Sequence, residues 1–343
     1  MSLDKFKFNK ALLNPVNRKE GISAYLRTRN GGDMLKLVIE SHINYFDEII
    51  ACYNDCTDNT EAVLRMFEKK YPDKLKVYHY EPKVPPLRSR EQKSLLADSV
   101  HSMANYSNFA LSKTTRKIAV KLDDDHFAVS HNLKEALSYI KKKKNYNAKY
   151  TFCGINLMKM TDNEIGICSS HPFAGGVDIE FYPVSEETYY TNKDGVELFI
   201  HPKMKKKYLG ILYLHLKSLK KCNGFGNYQL ERDDNRGNPY VEIIKNFFDT
   251  CQYSTLDSFS KTSIETLIKK NSSNAKGFFY SRRFTKKILE LTGLDYRTGL
   301  DNSRALFFKS DIVHVIDSVE ELQSCAQKNS VKLYTMIKKH DIF

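Results

Sequence analysis

The stretch KIAVKLDDDH, residues 117–126, decides how the sequence is interpreted, because its apolar first half runs directly into three aspartates. In extended backbone, residues i and i+2 point to the same side, so Asp123 and Asp125 are expected to converge on one point. Two convergent carboxylates repel each other unless a cation lies between them, and oxygen ligands suit Mg²⁺ or Mn²⁺. Acidic clusters also cap helices and decorate turns, so the motif alone leaves both interpretations open.

Two kinds of segment alternate over the first ~160 residues, which predicts an α/β fold with a parallel sheet. The strand-like segments are residues 21–28, 48–54, 74–80 and 117–122. The helix-like segments are 33–45, 58–71 and a long one from 92 to 112. The aspartates therefore follow the fourth strand, at the carboxyl edge where such folds place their ligands.

The rest of the chain predicts a division into two domains. More strand-like segments follow the motif, at 150–157, 177–184 and 211–217. Beyond residue 240 the pattern becomes mostly helical. We therefore expect a catalytic domain over 1–240, with a donor half at about 20–130 and an acceptor half at about 131–240. A helical C-terminal subdomain is expected over 241–343.

Composition and charge narrow the classes of protein. The chain has 343 residues, 41% hydrophobic and 28% charged, which suits a globular protein. Its net charge of +13 is explained either by a solvated basic surface or by attraction to polyanions. The seven cysteines are odd in number, and the N-terminus resembles no signal segment, which predicts a cytoplasmic location. No run approaches the ~18 apolar residues of a membrane span, so any contact with the inner membrane is expected to be peripheral.

Several common catalytic motifs do not occur in the sequence. It contains no Walker A loop, no GxGxxG, no GxSxG and no HExxH. Kinase-like, dinucleotide-binding, hydrolase-elbow and zincin interpretations therefore have no support.

Four segments occur in an order that points to a known family. They are LRTRN (26–30) after the first strand, NDCTDNT (54–60) after the second, NFALS (108–112) and LDDDH (122–126). In this order they resemble the first turn, the second loop, the helix end and the metal motif of inverting GT-A glycosyltransferases. FAGGVDIEFYPVSEETYY and LHLKSLK are similar to segments of the bacterial lipopolysaccharide and capsule transferases in that family. The resemblance implies a Rossmann-like fold, Mn²⁺ or Mg²⁺, and a nucleoside-diphosphate sugar, expected to be a UDP-sugar.

The same resemblance implies roles for individual residues. The donor nucleotide is expected at a set of positions near the strand ends: Tyr25, Arg27, Arg29, Asn54, Glu81, Asp123 and Asp124. The family usually has aspartate where this chain has Asn54, and an amide both donates and accepts hydrogen bonds. The expected metal ligands are Asp123, Asp125 and His215. His126 is a weaker candidate, and His215 is also explained as a core histidine of an apolar strand.

The acceptor hydroxyl needs a carboxylate base within hydrogen-bonding distance. Glu197 is the first candidate, followed by Asp178 and then Asp194. Each is also explained as a solvated surface acid, and Asp194-Gly195 as an ordinary turn. Lys217, Lys220 and Lys221 either bind phosphate or acidic acceptor groups or form a solvated edge.

The sequence leaves more than one function open. Glycosyl transfer to a carbohydrate or lipid-linked glycan is the main hypothesis, and the lysines at 141–144 and 205–207 could hold the protein against anionic headgroups. A nucleotidyltransferase on a related fold would use the same aspartate pair. A basic nucleic-acid-binding protein would use the net charge, but no binding module is recognisable, so we expect no nucleic-acid partner.

Overall fold

Four parallel strands form the framework of the protein in a computed structural model, which describes residues 6–87, 89–161, 164–168, 173–174, 179–220 and 253–254. The strands are β1 (Lys19–Thr28), β2 (Glu48–Tyr53), β3 (Leu75–His79) and β4 (Arg116–Leu122). They lie in the order β3-β2-β1-β4, so β1 is central. The predicted parallel α/β sheet is confirmed. All four carboxyl ends, including the one that leads into the aspartates, meet at one edge.

The helices that connect these strands match the sequence pattern except in one place. They are α1 (Leu35–His42), α2 (Thr60–Lys70), α3 (Arg90–Ser94) and α4 (Met103–Ser112). The single long helix predicted from 92 to 112 was wrong, because the chain leaves the helical conformation at Leu95 and re-enters it after Ser102. Ser102 caps α4 by accepting from the backbone N–H of Ala104, and Asn192 donates to the carbonyl of Leu95.

The second part of the chain extends the sheet beyond β4 and adds a separate two-stranded hairpin, β10–β11. Its helix is α5 (Ser130–Lys143). Its strands are β5 (His126–Ala128), β6 (Ala148–Thr161), β7 (Glu164–Cys168), β8 (Phe173–Ala174), β9 (Glu180–Pro183), β10 (Tyr189–Lys193), β11 (Val196–Ile200), β12 (Lys205–His215) and β13 (Tyr253–Ser254). β9 joins β4 to β6, and β12 lies between β6 and β5. In this register His215 is directly opposite His126, which brings a distant segment to the motif.

Two hydrophobic cores cover the two faces of the sheet. Ala24 and Leu26 of β1 belong to one core, and Tyr25 between them belongs to the other. This alternation is the period-2 pattern of a strand buried on both faces. Tyr25 is fully buried, and its hydroxyl hydrogen-bonds those of Tyr182, at 2.9 Å, and Tyr190.

Almost all of the predicted helical subdomain, 241–343, lies outside the described residues. Within the part of the chain that the structure describes, no helix has the length and apolar character needed to cross a membrane.

Candidate active site

The three aspartates form a turn, not an extension of β4. The strand ends at Leu122, and the backbone N–H of His126 donates to the carbonyl of Asp123 at 3.3 Å. The extended backbone expected for these residues was therefore wrong, although Asp123 and Asp125 each have a carboxylate oxygen within 4 Å of His126 Nε2, at 3.8 and 3.9 Å. Instead the turn buries Asp124 and Asp125, whose side chains are each 10% exposed, and leaves Asp123 at the rim with 33% exposure.

Asp124 joins three segments of the chain. Its Oδ2 accepts from Thr28 Oγ1 at the end of β1, and its Oδ1 accepts from Lys220 Nζ, both at 2.5 Å. Gly31 packs directly against this carboxylate, since a Cβ at Gly31 would overlap Asp124 and Thr28. Burial and the neighbouring Asp125 raise the pKa of Asp124, and Lys220 and Thr28 oppose the increase. Asp124 therefore ties the first loop to the acidic turn.

Asp125 forms a compact cluster with two histidines. Asp125, His126 and His215 each offer one potential ligand atom, and these three atoms lie within 4.8 Å of one another. Asp125 Oδ1 is 3.5 Å from His215 Nε2 and 3.9 Å from His126 Nε2. This buried oxygen has no hydrogen-bond partner among the described residues. A buried carboxylate oxygen without a partner lowers the stability of the folded state unless a cation or a proton donor faces it.

The charge states of this cluster suit a cation. Burial lowers the pKa of His126 to about 4, so its imidazole is neutral near pH 7. Burial raises the pKa of Asp125, but Lys220 and His215 outweigh it and hold the pKa well below its usual range. A metal bound about 2.0–2.2 Å from each ligand atom places those atoms about 3–4 Å apart, and the two distances from Asp125 Oδ1, 3.5 and 3.9 Å, lie in that range. The residues therefore fit a divalent ion such as Mn²⁺, which accepts both oxygen and imidazole ligands.

The predicted metal ligands only partly coincide with this cluster. Asp125 and His215 belong to it, whereas Asp123 lies beside it, with Oδ2 3.8 Å from His126 Nε2. His126 takes the third position of the cluster. Sequence reasoning ranked His126 low because the pairing of β5 with β12 could not be foreseen. It missed Thr28 altogether, although Thr28 lies at the polar end of the first strand.

The residues expected at the nucleotide lie in different environments. Arg27 is buried and pairs with Glu197, with Nη2 3.0 Å from Oε2, while Arg29 pairs with Asp55 at 2.5 Å. Glu81 is exposed. The structure does not bring Tyr25 to the site, because this side chain belongs to the core.

Asn54 is occupied in shaping the adjacent loops. Its amide nitrogen donates to the carbonyls of Tyr80 and Pro82, the latter at 2.8 Å, and its oxygen accepts from the N–H of Val84 at 3.2 Å. Asn54 is only 2% exposed. All these bonds stay within the chain, so Asn54 supports the loop after β3 in this structure.

Two of the three candidate bases, Glu197 and Asp194, lie on the β10–β11 hairpin. Asn108 of α4 holds this hairpin by donating to the carbonyl of Tyr190 and accepting from its N–H, both at 2.8 Å. Glu197 faces the sheet and accepts hydrogen bonds from Arg27 and Ser107. Asp194 is exposed at the hairpin turn, with φ 53°. Asp178 lies outside the described residues.

Comparison with known proteins agrees with this geometry. Residues 4–169 match the family model described as CgtA, a beta-1,4-N-acetylgalactosaminyltransferase. The matched segment contains β1–β4 and the aspartate turn, but ends before Glu197, His215 and Lys220. No curated protein sequence matches the chain.

Solved structures are similar at low identity. Residues 1–349 of TarS from S. aureus share 14% identity, with 83% of this chain and 90% of that chain covered and a TM-score of 0.32. The same TarS fragment in complex with UDP shares 11%, with 93% and 90% covered and a TM-score of 0.35. A mycobacterial protein shares 14%, with 44% and 47% covered and a TM-score of 0.28. At these TM-scores the fold assignment relies on the sheet order and not on the likeness.

The parallel sheet, the acidic turn at its carboxyl edge and the match of residues 4–169 together support one class, the bacterial glycosyltransferases with a mixed α/β domain. Within that class, its first half is most specifically similar to the CgtA family of N-acetylgalactosaminyltransferases.

The cluster predicts a measurable loss of metal binding in Asp125→Asn. Removing the carboxylate charge should weaken Mn²⁺ binding by at least about tenfold, since even the loss of an outer partner of a metal ligand has effects of this size. Calorimetric titration with MnCl₂ in the absence of nucleotide measures the change. Asp194→Asn is the matched control, because asparagine tolerates positive φ and Asp194 lies outside the cluster. Equal Mn²⁺ affinities in the two variants would contradict the assignment.

Proposed function

We propose that the protein is a metal-dependent enzyme that transfers a sugar from a UDP-sugar donor to a glycan acceptor, with inversion at the anomeric carbon. The observation that carries the proposal is the cluster of Asp125, His126 and His215, with the buried Asp124 beside it, at the carboxyl edge of the sheet. A surface acidic patch would need neither burial nor two histidines with matching ligand distances. The resemblance to inverting enzymes supports inversion.

The chemistry requires charge stabilisation at the leaving group. The bond between the anomeric carbon and the donor phosphate oxygen breaks, and its electron pair stays on the nucleoside diphosphate. The acceptor oxygen bonds the anomeric carbon from the opposite face, and its proton passes to a carboxylate base. Asp125, His126 and His215 would hold a divalent ion, which when bound supplies Lewis-acid stabilisation of the diphosphate. Asp124 keeps the turn folded through Thr28.

The matched family model suggests the first donor to test. It is named for transfer of N-acetylgalactosamine. We therefore propose UDP-N-acetylgalactosamine as the donor and a carbohydrate or lipid-linked glycan of lipopolysaccharide or capsule as the acceptor. Arg27 and Arg29 lie at the end of β1, where the nucleotide is expected, and each is paired with a carboxylate, Arg27 with Glu197 and Arg29 with Asp55.

Glu197 is the proposed base, with Asp178 second and Asp194 third. It is a largely buried carboxylate, 11% exposed, on a hairpin that α4 holds in place. Both of its oxygens accept hydrogen bonds, from Arg27 and Ser107. Deprotonation of an acceptor therefore requires one of these bonds to be exchanged for a bond from the acceptor hydroxyl. Arg27 would remain to fix the direction of the carboxylate.

A further proposal concerns the location of the acceptor. The lysines at 141–144 and 205–207 are exposed and lie side by side, because the backbone N–H of Lys205 donates to the carbonyl of Asn147. Lys143 and Lys207 both lie over the ring of Tyr139, 5.7 and 5.0 Å from its centroid. This combined basic surface supports peripheral contact with anionic headgroups at the inner membrane.

Nucleotide binding tests the proposed function directly. We expect UDP with Mn²⁺ to raise the melting temperature, and GDP, CMP and dTDP to raise it less. A ligand at a hundredfold excess over its Kd stabilises the folded state by about 2.7 kcal/mol. Asp125→Asn should lose the Mn²⁺-dependent part of the shift.

Two other outcomes would favour the alternative functions. Absence of a shift with every nucleotide, combined with steeply salt-dependent binding of random oligonucleotides, would favour a nucleic-acid-binding protein. Formation of a nucleotide sugar from UTP and a sugar 1-phosphate would favour a nucleotidyltransferase.

Glu197→Gln should lower kcat by about a hundredfold or more, the usual contribution of a general base, and leave the UDP–Mn²⁺ melting shift unchanged. Glu187→Gln makes the same change at an exposed position near the hairpin and should have no effect. Kinetics with UDP-N-acetylgalactosamine and a glycan acceptor measure both variants. An unchanged kcat in Glu197→Gln would contradict its assignment as the general base, and Asp178 and then Asp194 would be tested for that role.

Replacing the four lysines at 141–144 by glutamine should weaken binding to vesicles containing anionic phospholipid by more than about tenfold, since each lysine near such a surface contributes about 1 kcal/mol. Vesicle sedimentation measures the binding. The control removes four exposed lysines that are scattered elsewhere: Lys69, Lys76, Lys83 and Lys93. Equal losses in the two variants would mean that net charge alone, and not this surface, governs membrane contact.

A further inference from the structure

Lys220 lies inside the acidic site, not at a solvated edge. It follows the 3-10 helix Lys217–Leu219, which is tied to the aspartate turn because the N–H of Leu216 donates to the carbonyl of Asp125 at 2.8 Å. The Lys220 side chain is only 8% exposed. Of the two interpretations that the sequence left open for this lysine, burial excludes the solvated edge.

The ammonium group of Lys220 is shared between two carboxylates. Nζ is 2.5 Å from Asp124 Oδ1 and 3.6 Å from Asp125 Oδ2. The other oxygen of Asp125 faces His215 and His126. A single carboxylate therefore has the metal cluster on one side and a fixed positive charge on the other.

This arrangement makes a cation at the cluster and the ammonium group of Lys220 close neighbours. Like charges at such separations repel, most strongly where water is excluded. The ammonium group lies 2.5 Å from Asp124 Oδ1 and 3.6 Å from Asp125 Oδ2, and two carboxylates this close favour its charged form, so the repulsion persists near pH 7. A bound diphosphate carries negative charge that offsets both cations, and lysine is a common point-charge ligand for phosphate.

We propose that Lys220 is a second, built-in cation of the donor site, which weakens metal binding in the donor-free protein and pairs with the diphosphate once the donor is bound. Lys220 thereby makes binding of the metal and of the nucleotide interdependent, and the coupling acts equally in both directions. This inference rests on the proposed function, because it names a diphosphate as the ligand.

The test is Lys220→Met, which keeps the length of the side chain and removes its charge. Titration calorimetry should show opposite changes: nucleotide-free Mn²⁺ binds about tenfold more tightly, and UDP at saturating Mn²⁺ binds about tenfold more weakly, the size expected for one charged hydrogen bond. Lys220→Arg, which keeps the charge, should remain close to the wild type in nucleotide-free Mn²⁺ affinity.

A matched control separates this role from a structural one. Lys149 is a second buried lysine, which pairs with Glu180 and hydrogen-bonds His201 Nε2 at 2.8 Å, outside the acidic cluster. Lys149→Met should lower the melting temperature and change neither affinity. If Lys220→Met does not fold, Lys220→Met combined with Asp124→Asn removes both members of the buried pair, and the loss of UDP affinity is measured in that protein.

The outcomes distinguish failure of this inference from failure of the proposed function. If the wild type binds UDP with Mn²⁺ and Lys220→Met binds UDP equally well, only the inference is overturned. A parallel loss of both affinities in Lys220→Met would also overturn it, because that is the result of a purely structural role. If the wild type binds no nucleotide at all, the proposed function falls and the inference falls with it.

Discussion

The buried carboxylate of Asp124 is the constraint on which the site depends. A carboxylate removed from water must be compensated by hydrogen bonds and opposite charge, and here Thr28 and Lys220 provide both. These partners come from the end of β1 and from the segment after β12, almost two hundred residues apart in sequence. Breaking such a buried pair from one side typically costs about 3–5 kcal/mol. The two halves of the described domain are therefore locked together at the point where the chemistry is proposed.

The rest of the site depends on these contacts of Asp124 with Thr28 and Lys220. The next residue, Asp125, has Oδ2 near Lys220 and Oδ1 near His126 and His215, which β5 and β12 bring opposite each other. The absence of a side chain at Gly31 leaves the space that the Asp124 carboxylate fills. The geometry suitable for a cation thus results from strand pairing and from one buried ion pair, and it needs no strained backbone.

Local pattern was sufficient for the framework and for placing the three aspartates at the end of the fourth strand. The four parallel strands and helices α1 and α2 follow from hydrophobic periodicity, which is strong where both faces of a strand are buried. Polar contacts between distant segments were not accessible to this reasoning. The break in the predicted helix from 92 to 112 is held by Asn192, and the three bonds of Asn54 are made to loops that no local pattern specifies.

The sequence by itself therefore determined the α/β class, the fourth strand that ends in aspartates and the chemistry available there, because these are properties of short segments with a regular period. Tertiary structure decided which aspartate is buried, that His126 joins His215, and that Lys220 points into the site. The physical reason is that burial and pairing depend on what the fold places across from each side chain. The turn after Leu122 shows this most clearly, since it buries Asp124 and Asp125 and leaves Asp123 33% exposed.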